Sequence, residues 1–309
     1  MSVKEQPLIS KEQPLVSVVL LSYNRPALLQ EALASLLGQS HGHLEITVVD
    51  NPSPASADVA RIVGQHRGVR LAQNQVNLGY AGGMNTGINQ ASGDYVFLTE
   101  DDIVLDSDCL RHLVNYMDAQ PSAALIAPIV YNKTERTIRC AGGDFALGGV
   151  YRKRTYGAGE RDTGQFARPF AVGYIDGATM FARRDFWQRF KGFRAEYFMY
   201  VEAVELCARV LKSGHGMAVV PQAKVYHFDP PDEATPPEIE FHKIKNFFSL
   251  YLLHAPARHL PEFVCRYAII NGARSLTGRS GSPPRAFLKA LWWAARNAPS
   301  LLKERRAQT

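Results

Sequence analysis

The chain has 309 residues, 46% hydrophobic and 21% charged, which is enough apolar material for a full core and argues against a disordered polymer. Its net charge of +6 is uneven: from Arg258 onward ten Lys and Arg stand against two Asp and Glu, leaving −2 for the rest. That split argues against a basic nucleic-acid reader and puts any anionic partner at the tail.

Residues 1 to 14 read as a loose leader with a near repeat, Lys4-Glu5-Gln6-Pro7-Leu8 and Lys11-Glu12-Gln13-Pro14-Leu15, and no signal-peptide centre. Val16 to Leu21 is an unbroken apolar run, the pattern of a central parallel strand, with Ser22-Tyr23-Asn24-Arg25 as its exit loop. Pro26 opens a helix whose Leu29, Leu33 and Leu36 form a buried stripe. Leu44 to Val49 is a second strand ending in Asp50-Asn51-Pro52; Asp58 to Gly64 is a helix and Val69 to Leu71 a short third strand. Asn77 to Asn85 is glycine-rich. It lacks both the GxGxxG fingerprint and the Gly-Lys-Ser/Thr of a phosphate loop, which argues against a nicotinamide enzyme. Its glycines serve either turns or a close backbone approach to a nucleotide, with helix expected from Gly87 to Ala91.

The strand after Gly93 stops abruptly at Glu100-Asp101-Asp102. In extended chain Glu100 and Asp102 point the same way and can face one cation or its diphosphate complex, while Asp101 points elsewhere; a solvated turn is the alternative. The alternation so far predicts an α/β fold, a mainly parallel central sheet flanked by helices, with ligands at the strand carboxyl ends.

A helix on Leu110, Leu113 and Met117 and a strand from Ala124 to Val130 follow. Arg139 to Pro169 reads as hairpins or a mobile flap, its Arg152, Lys153 and Arg154 suited to phosphate or to a solvated turn. Val172 to Phe181 is strand-like but interrupted by Asp176-Gly177, where backbone can contact a sugar or acceptor; Phe186, Trp187 and Phe190 fit a core or a sugar platform. After Tyr200 a helix sets Glu202, Glu205, Arg209 and Lys212 on one stripe, read as a solvent-facing ion-pair ladder, beside an apolar stripe of Ala203, Cys207 and Val210. Val219 to Val225 is a strand, and His227, just past it beside Asp229, is a metal or diphosphate ligand candidate or a satisfied structural group. Pro230, Pro231, Pro236 and Pro237 mark a boundary.

Cys109, Cys140, Cys207 and Cys265 form no CxxC pair, so a reduced, cytoplasmic protein is expected, and no apolar run reaches the roughly 18 to 20 residues of a membrane span. A helix from Pro284 to Arg296 aligns Arg285, Lys289 and Arg296, flanks them with Trp292 and Trp293, and sets Phe287, Leu288, Leu291 and Ala294 opposite. Packing on the main domain, peripheral docking on a membrane and an oligomer contact all fit that pattern.

Taken in order, Val18 to Arg25, Val48 to Asn51, Asn77 to Asn85, Thr99 to Asp102, Asp176-Gly177-Ala178 and His227 form a specific set. Over about residues 15 to 229 the chain resembles the inverting family 2 glycosyltransferases with a GT-A fold, especially bacterial rhamnosyltransferase-like members. The resemblance implies a catalytic-type domain at 15–229, followed at 230–309 by a Pro-rich connection and a helical basic appendage. It puts the nucleobase and ribose at Ser22, Asn24, Arg25 and Asp50, and the rest of the donor near Asn77, Gly79, Gly83, Asn85, Glu100 and Asp101. Asp102 matches the last acid of the Asp-x-Asp metal motif, with Glu100 in its first place, and His227 matches a later metal-side histidine. Mg²⁺ or Mn²⁺ and a nucleoside-diphosphate sugar, dTDP-L-rhamnose or a UDP-hexose, are the implied cofactor and donor. Asp176, Gly177, Ala178 and Trp187 fall at the acceptor, which is a lipid-linked sugar, a glycan or a small molecule.

One position departs from the pattern. The family's Glu-Asp pair, whose Asp is the base, reads Glu202-Ala203 here, and a methyl group accepts no proton. Three explanations follow: an engineered substitution that impairs activity, a shifted base at Glu202 or Glu205, or a non-catalytic nucleotide-sugar or glycan binder.

Overall fold

The structure, a computed structural model, describes residues 13–228, 236–276 and 283–307. Most of the leader, Asp229, Pro230 and Pro231 lie outside the described residues. The first part alternates as expected: β1 (Val16–Ser22), α1 (Pro26–Leu37), β2 (Leu44–Asp50), α2 (Ser56–Gly64), β3 (Val69–Gln73), α3 (Gly79–Gln90) and β4 (Tyr95–Glu100). Then come β5 (Ile103–Leu105), α4 (Cys109–Ala119), β6 (Ala123–Asn132), β7 (Ile138–Cys140), the hairpin β8 (Gly143–Leu147) and β9 (Tyr151–Thr155), β10 (Phe170–Ala171), β11 (Met180–Arg183), α5 (Arg184–Phe190), α6 (Glu202–Lys212) and β12 (Gly216–His227). The C-terminal part is helical: α7 (Pro237–His254), α8 (Leu260–Phe263), a π-helical stretch Val264–Ile270, α9 (Asn271–Leu276) and α10 (Pro284–Ala307).

The main sheet runs β10-β12-β6-β11-β4-β1-β2-β3. β3, β2, β1 and β4 are mutually parallel, as are β6 and β12, and β11 joins the two blocks by pairing antiparallel with β4 and β6. Alternate side chains of β1 enter opposite cores: Val16, Val18 and Leu20 pack with Leu29, Leu33 and Leu36 of α1, while Val19 and Leu21 pack towards Met84 of α3. Both faces being covered explains why β1 has no polar alternation.

The glycine-rich segment is helical from Gly79 onward, contrary to the expectation of helix only from Gly87. Gly83 and Gly87 let α3 lie close on the sheet, since a Cβ on Gly87 would strike Val19 and one on Gly83 would strike Leu21. Gly79 alone takes a left-handed turn, φ +67°, beneath Phe198. Two further expectations change. Residues 172–179 form an irregular turn, with strand resuming only at Met180, and His227 is the last residue of β12 and not past it. The flap resolves into the β8-β9 hairpin.

α7 and α10 pack together around Phe248, Tyr251, Phe263, Phe287 and Ala290, forming a third core. Among the described residues no helix is long and apolar enough to cross a membrane.

Candidate active site

β4 delivers its acids to the carboxyl edge of the sheet, and the chemistry there starts with Arg25. Its guanidinium, at the start of α1, is 2.9 Å from Asp101 Oδ1 and also donates to Asp102 Oδ2. Asp101 is fully buried and faces the β1 exit loop, where Ser22 Oγ and the Tyr23 N–H each donate to Oδ2 at 3.0 Å. Burial outweighs Arg25 and raises its carboxyl to about 6. Asp102 differs: its buried Oδ1 has no hydrogen-bond partner and stands 3.8 Å from His227 Nε2 at the end of β12. Burial lowers the His227 pKa against the pull of Asp102.

Of these groups His227 lines a cavity of about 530 Å³, together with Glu100, Tyr80, Asp176, Gly177, Ala178, Glu202, Ala203, Arg139, Tyr151, Lys153, Tyr174, Met199, Tyr200, Lys243 and Phe247. That size suits a small-molecule site. Burial, followed by the nearby charge of Asp102, holds the Glu100 carboxyl well above its ordinary range. The Tyr80 hydroxyl donates to the Gly177 carbonyl and ties α3 to the turn before β11. In that turn the Ala178 N–H donates to Asp176 Oδ1 at 3.0 Å, and Tyr174 Oη donates to Oδ2 at 3.3 Å.

Asp102 and His227 fit a divalent cation in one physical respect: two ligands of an ion bound at about 2.1 Å stand roughly 3–4 Å apart. Among the described residues no three acidic, His or Cys side chains converge, so the remaining ligands would come from a diphosphate and water, the usual habit of Mg²⁺.

Other sequence candidates are placed elsewhere. Glu205 is fully buried away from the cavity, 2.9 Å from Arg209 Nε and 3.0 Å from His254 Nε2. Arg209 in turn donates to the carbonyls of Phe190 and Gly192. Glu205 and Arg209 are therefore an internal brace and not part of a solvent-facing ladder, while Glu202 lines the cavity and Lys212 is exposed. Asn85 spends its amide on the backbone of Phe193, and Trp187 is core, packed against Phe186 and Phe193. Gly83 packs on Leu21 and beside the Asn51 side chain. Asp50 ends β2 buried, and Asn77 Oδ1 accepts from the Gly79 N–H. Asn24, exposed, takes a left-handed φ of 59°.

Sequence reasoning missed Tyr80 and the aromatic and cationic wall. Part of that wall was legible: in β9, Tyr151 and Lys153 are two apart and line the cavity together, while Arg152 and Arg154 do not. Lys243 and Phe247 come from α7, which no local pattern tied to the site.

Comparison with known proteins agrees with this arrangement. An N-acetylglucosaminyl-diphospho-decaprenol L-rhamnosyltransferase of Mycobacterium tuberculosis is 26% identical over 230 residues, 68% of this chain and 75% of that protein. A poly-beta-1,6-N-acetyl-D-glucosamine synthase of Staphylococcus epidermidis is 27% identical over 122 residues, 38% of this chain and 30% of that protein. Among solved structures, GalNAc-T7 with UDP, GalNAc and Mn²⁺ superposes with a TM-score of 0.65 at 14% identity, over 94% of this chain and 58% of that one. The mannosyltransferase PcManGT of Pyrobaculum calidifontis, with GDP-Man and Mn²⁺, gives 0.54 at 16%, over 96% and 80%. Residues 17–190, more than half of the chain, match the Glycosyl transferase family 2 model, and the protein belongs to that family as a glycosyltransferase of the GT-A fold.

Proposed function

We propose that residues 15–229 transfer a sugar, with inversion, from a nucleoside-diphosphate sugar to an acceptor hydroxyl, and that 230–309 is a basic appendage whose α7 closes one wall of the cavity through Lys243 and Phe247. The observation carrying this reading is the unpartnered Asp102 Oδ1, 3.8 Å from His227, which itself lines a cavity with Asp176, Glu202 and Ala203. Mg²⁺ or Mn²⁺ between Asp102 and His227 would offset the diphosphate's charge and stabilise the departing nucleoside diphosphate. The Mn²⁺ in the two superposed structures supports that cofactor. The mycobacterial relative's name favours an L-rhamnosyl donor and a lipid-linked acceptor; dTDP-L-rhamnose is the donor proposed, with a UDP-hexose as rival donor and a glycan or small molecule as rival acceptors. Calorimetric titration of dTDP- and UDP-sugars should give Mn²⁺-dependent binding. No binding of either class, with or without metal, would sink the reading. A non-catalytic sugar-nucleotide binder, the alternative suggested by Ala203, would bind donor yet transfer nothing to any acceptor.

The proposal extends to a peripheral site on the cytoplasmic face of a membrane. The outward face of α10 carries Arg285, Leu288, Lys289, Trp292, Arg296, Lys303 and Arg306, all exposed and none acidic. Leu288 lies on this side, 52% exposed, and not on the buried side expected for it; Trp292 is 63% exposed, and Ile269 beside them 64%. The opposite face, Ala286, Phe287, Ala290, Ala294 and Leu301, is buried, while Glu304 turns inward to Arg194. A basic stripe around a tryptophan suits the interface of an anionic bilayer. Vesicles containing phosphatidylglycerol should therefore pellet the protein, and replacing Arg285, Lys289 and Arg296 together by Gln should weaken partitioning by about 10²-fold, at roughly 1 kcal/mol per charge. Equal pelleting of parent and triple variant would reject docking through this face.

A further inference from the structure

The cavity resolves where a base can stand once Ala203 has none to offer. Glu205 is outside it, locked between Arg209 and His254. Glu202 lines it, but its Oε2 is buried without a partner, and burial pushes the carboxyl up to about 8, so it holds its proton at neutral pH. Glu100 also lines the cavity, but it ends β4 two residues before Asp102, the acid proposed above for the cation.

Asp176 remains. It is half-buried on the cavity wall, and both of its oxygens accept hydrogen bonds, from Ala178 N and Tyr174 Oη, which fixes its orientation. Its turn lies directly against the vacated position: a Cβ built on Gly177 would stand 3.3 Å from the Ala203 methyl carbon. Arg139, Lys153, His227, Glu100 and Glu202 share the cavity with it.

We propose that in this chain Asp176 takes the acceptor's proton, the base having moved from the start of α6 to the turn before β11. The assignment rests on the chain being a transferase. In the step, the acceptor O–H proton passes to the Asp176 carboxylate as the acceptor oxygen bonds to the anomeric carbon. The bond from that carbon to the diphosphate oxygen breaks, and its electron pair leaves with the nucleoside diphosphate. A protonated Asp176 then returns its proton to solvent.

Asp176→Asn keeps the shape and the Oδ1 acceptor for Ala178, so the turn is retained, and thermal unfolding checks this. Transfer should fall by about 10²–10⁴-fold, the scale of a positioned general base, with donor affinity within a factor of about three. Adding Ala203→Asp to that variant should restore transfer, because it returns a carboxylate to the neighbouring position. Glu202→Gln should cost less than Asp176→Asn. The proposal is overturned if Asp176→Asn transfers within about threefold of the parent, if its loss tracks lost donor binding, or if the parent is inert while Ala203→Asp alone is active. Failure of every chain to bind donor would instead remove the transferase reading itself.

Discussion

Replacing Asp102 by Asn is expected to lower sugar transfer by about 10²–10³-fold, the range found when one electrostatic stabiliser of a transition state is removed. Donor binding should also stop responding to Mn²⁺. Asn preserves the volume of the side chain, and Arg25 keeps its ion pair with Asp101 at 2.9 Å, so the loop between β1 and α1 has no reason to rearrange. What disappears is the negative charge on the oxygen that faces His227 across 3.8 Å. Measuring Mn²⁺ binding directly, by its paramagnetic signal with nucleoside diphosphate present, separates this from a general loss of activity. A variant that binds Mn²⁺ as the parent does would remove Asp102 from the metal site. His227→Ala provides the companion result: weakened Mn²⁺ binding at unchanged melting temperature marks a ligand, whereas lost stability with unchanged metal dependence marks a structural residue.

The architecture was legible because burial leaves a one-dimensional trace. Val16 to Leu21 is apolar throughout because β1 is covered on both faces, and Glu100-Asp101-Asp102 marks the point where β4 leaves that cover. The expected alternation of extended chain stops at Glu100, because Asp101 and Asp102 lie in the turn after β4 and both reach Arg25; the turn sends Asp101 to Ser22 and Tyr23 and Asp102 towards His227. What failed was inference about which side of an element meets a distant partner. Glu205 looked like a surface charge, since its neighbours at i+4 and i+7 are Arg209 and Lys212; nothing local announced that His254 would close over it. Leu288 likewise looked buried from hydrophobicity alone, although its helical phase with Arg285, Lys289 and Trp292 places it outside. Glycines misled for a related reason. Close backbone approach was read as approach to a ligand, whereas Gly83 and Gly87 serve the contact of α3 with the sheet.

Asn246→Ala is expected to destabilise the protein by about 2–4 kcal/mol and to slow transfer, although Asn246 lies on α7, outside the cavity lining. The reason is the backbone just before α6. Phe198, Tyr200 and Val201 have φ of 63°, 66° and 71°, a left-handed region costly for side chains of this size, and Val201 is β-branched. Asn246, fully buried, donates through Nδ2 to the carbonyls of Tyr197 at 2.8 Å, Met199 at 3.0 Å and Tyr200 at 2.7 Å. One amide group thus holds the turn that sets where Glu202 and Ala203 enter the cavity. Without it the Met199 and Tyr200 carbonyls lose this donor, the Tyr197 carbonyl keeping only the Met199 N–H at 2.7 Å, and the strained turn loses its restraint. For a protein of this size the loss should lower the melting temperature by roughly 3–6 °C. A displacement of about 1 Å at the start of α6 would cost on the order of 10²-fold in kcat with little change in donor KM. Asn246→Asp distinguishes a donor from a filler, since it keeps the volume and replaces the N–H groups with oxygen facing carbonyls. It should be at least as damaging as Asn246→Ala. If Asn246→Asp matches the parent in melting temperature and kcat, the turn is held by packing alone, through Phe198 stacked on His242 at 4.6 Å, and the hydrogen-bond account fails.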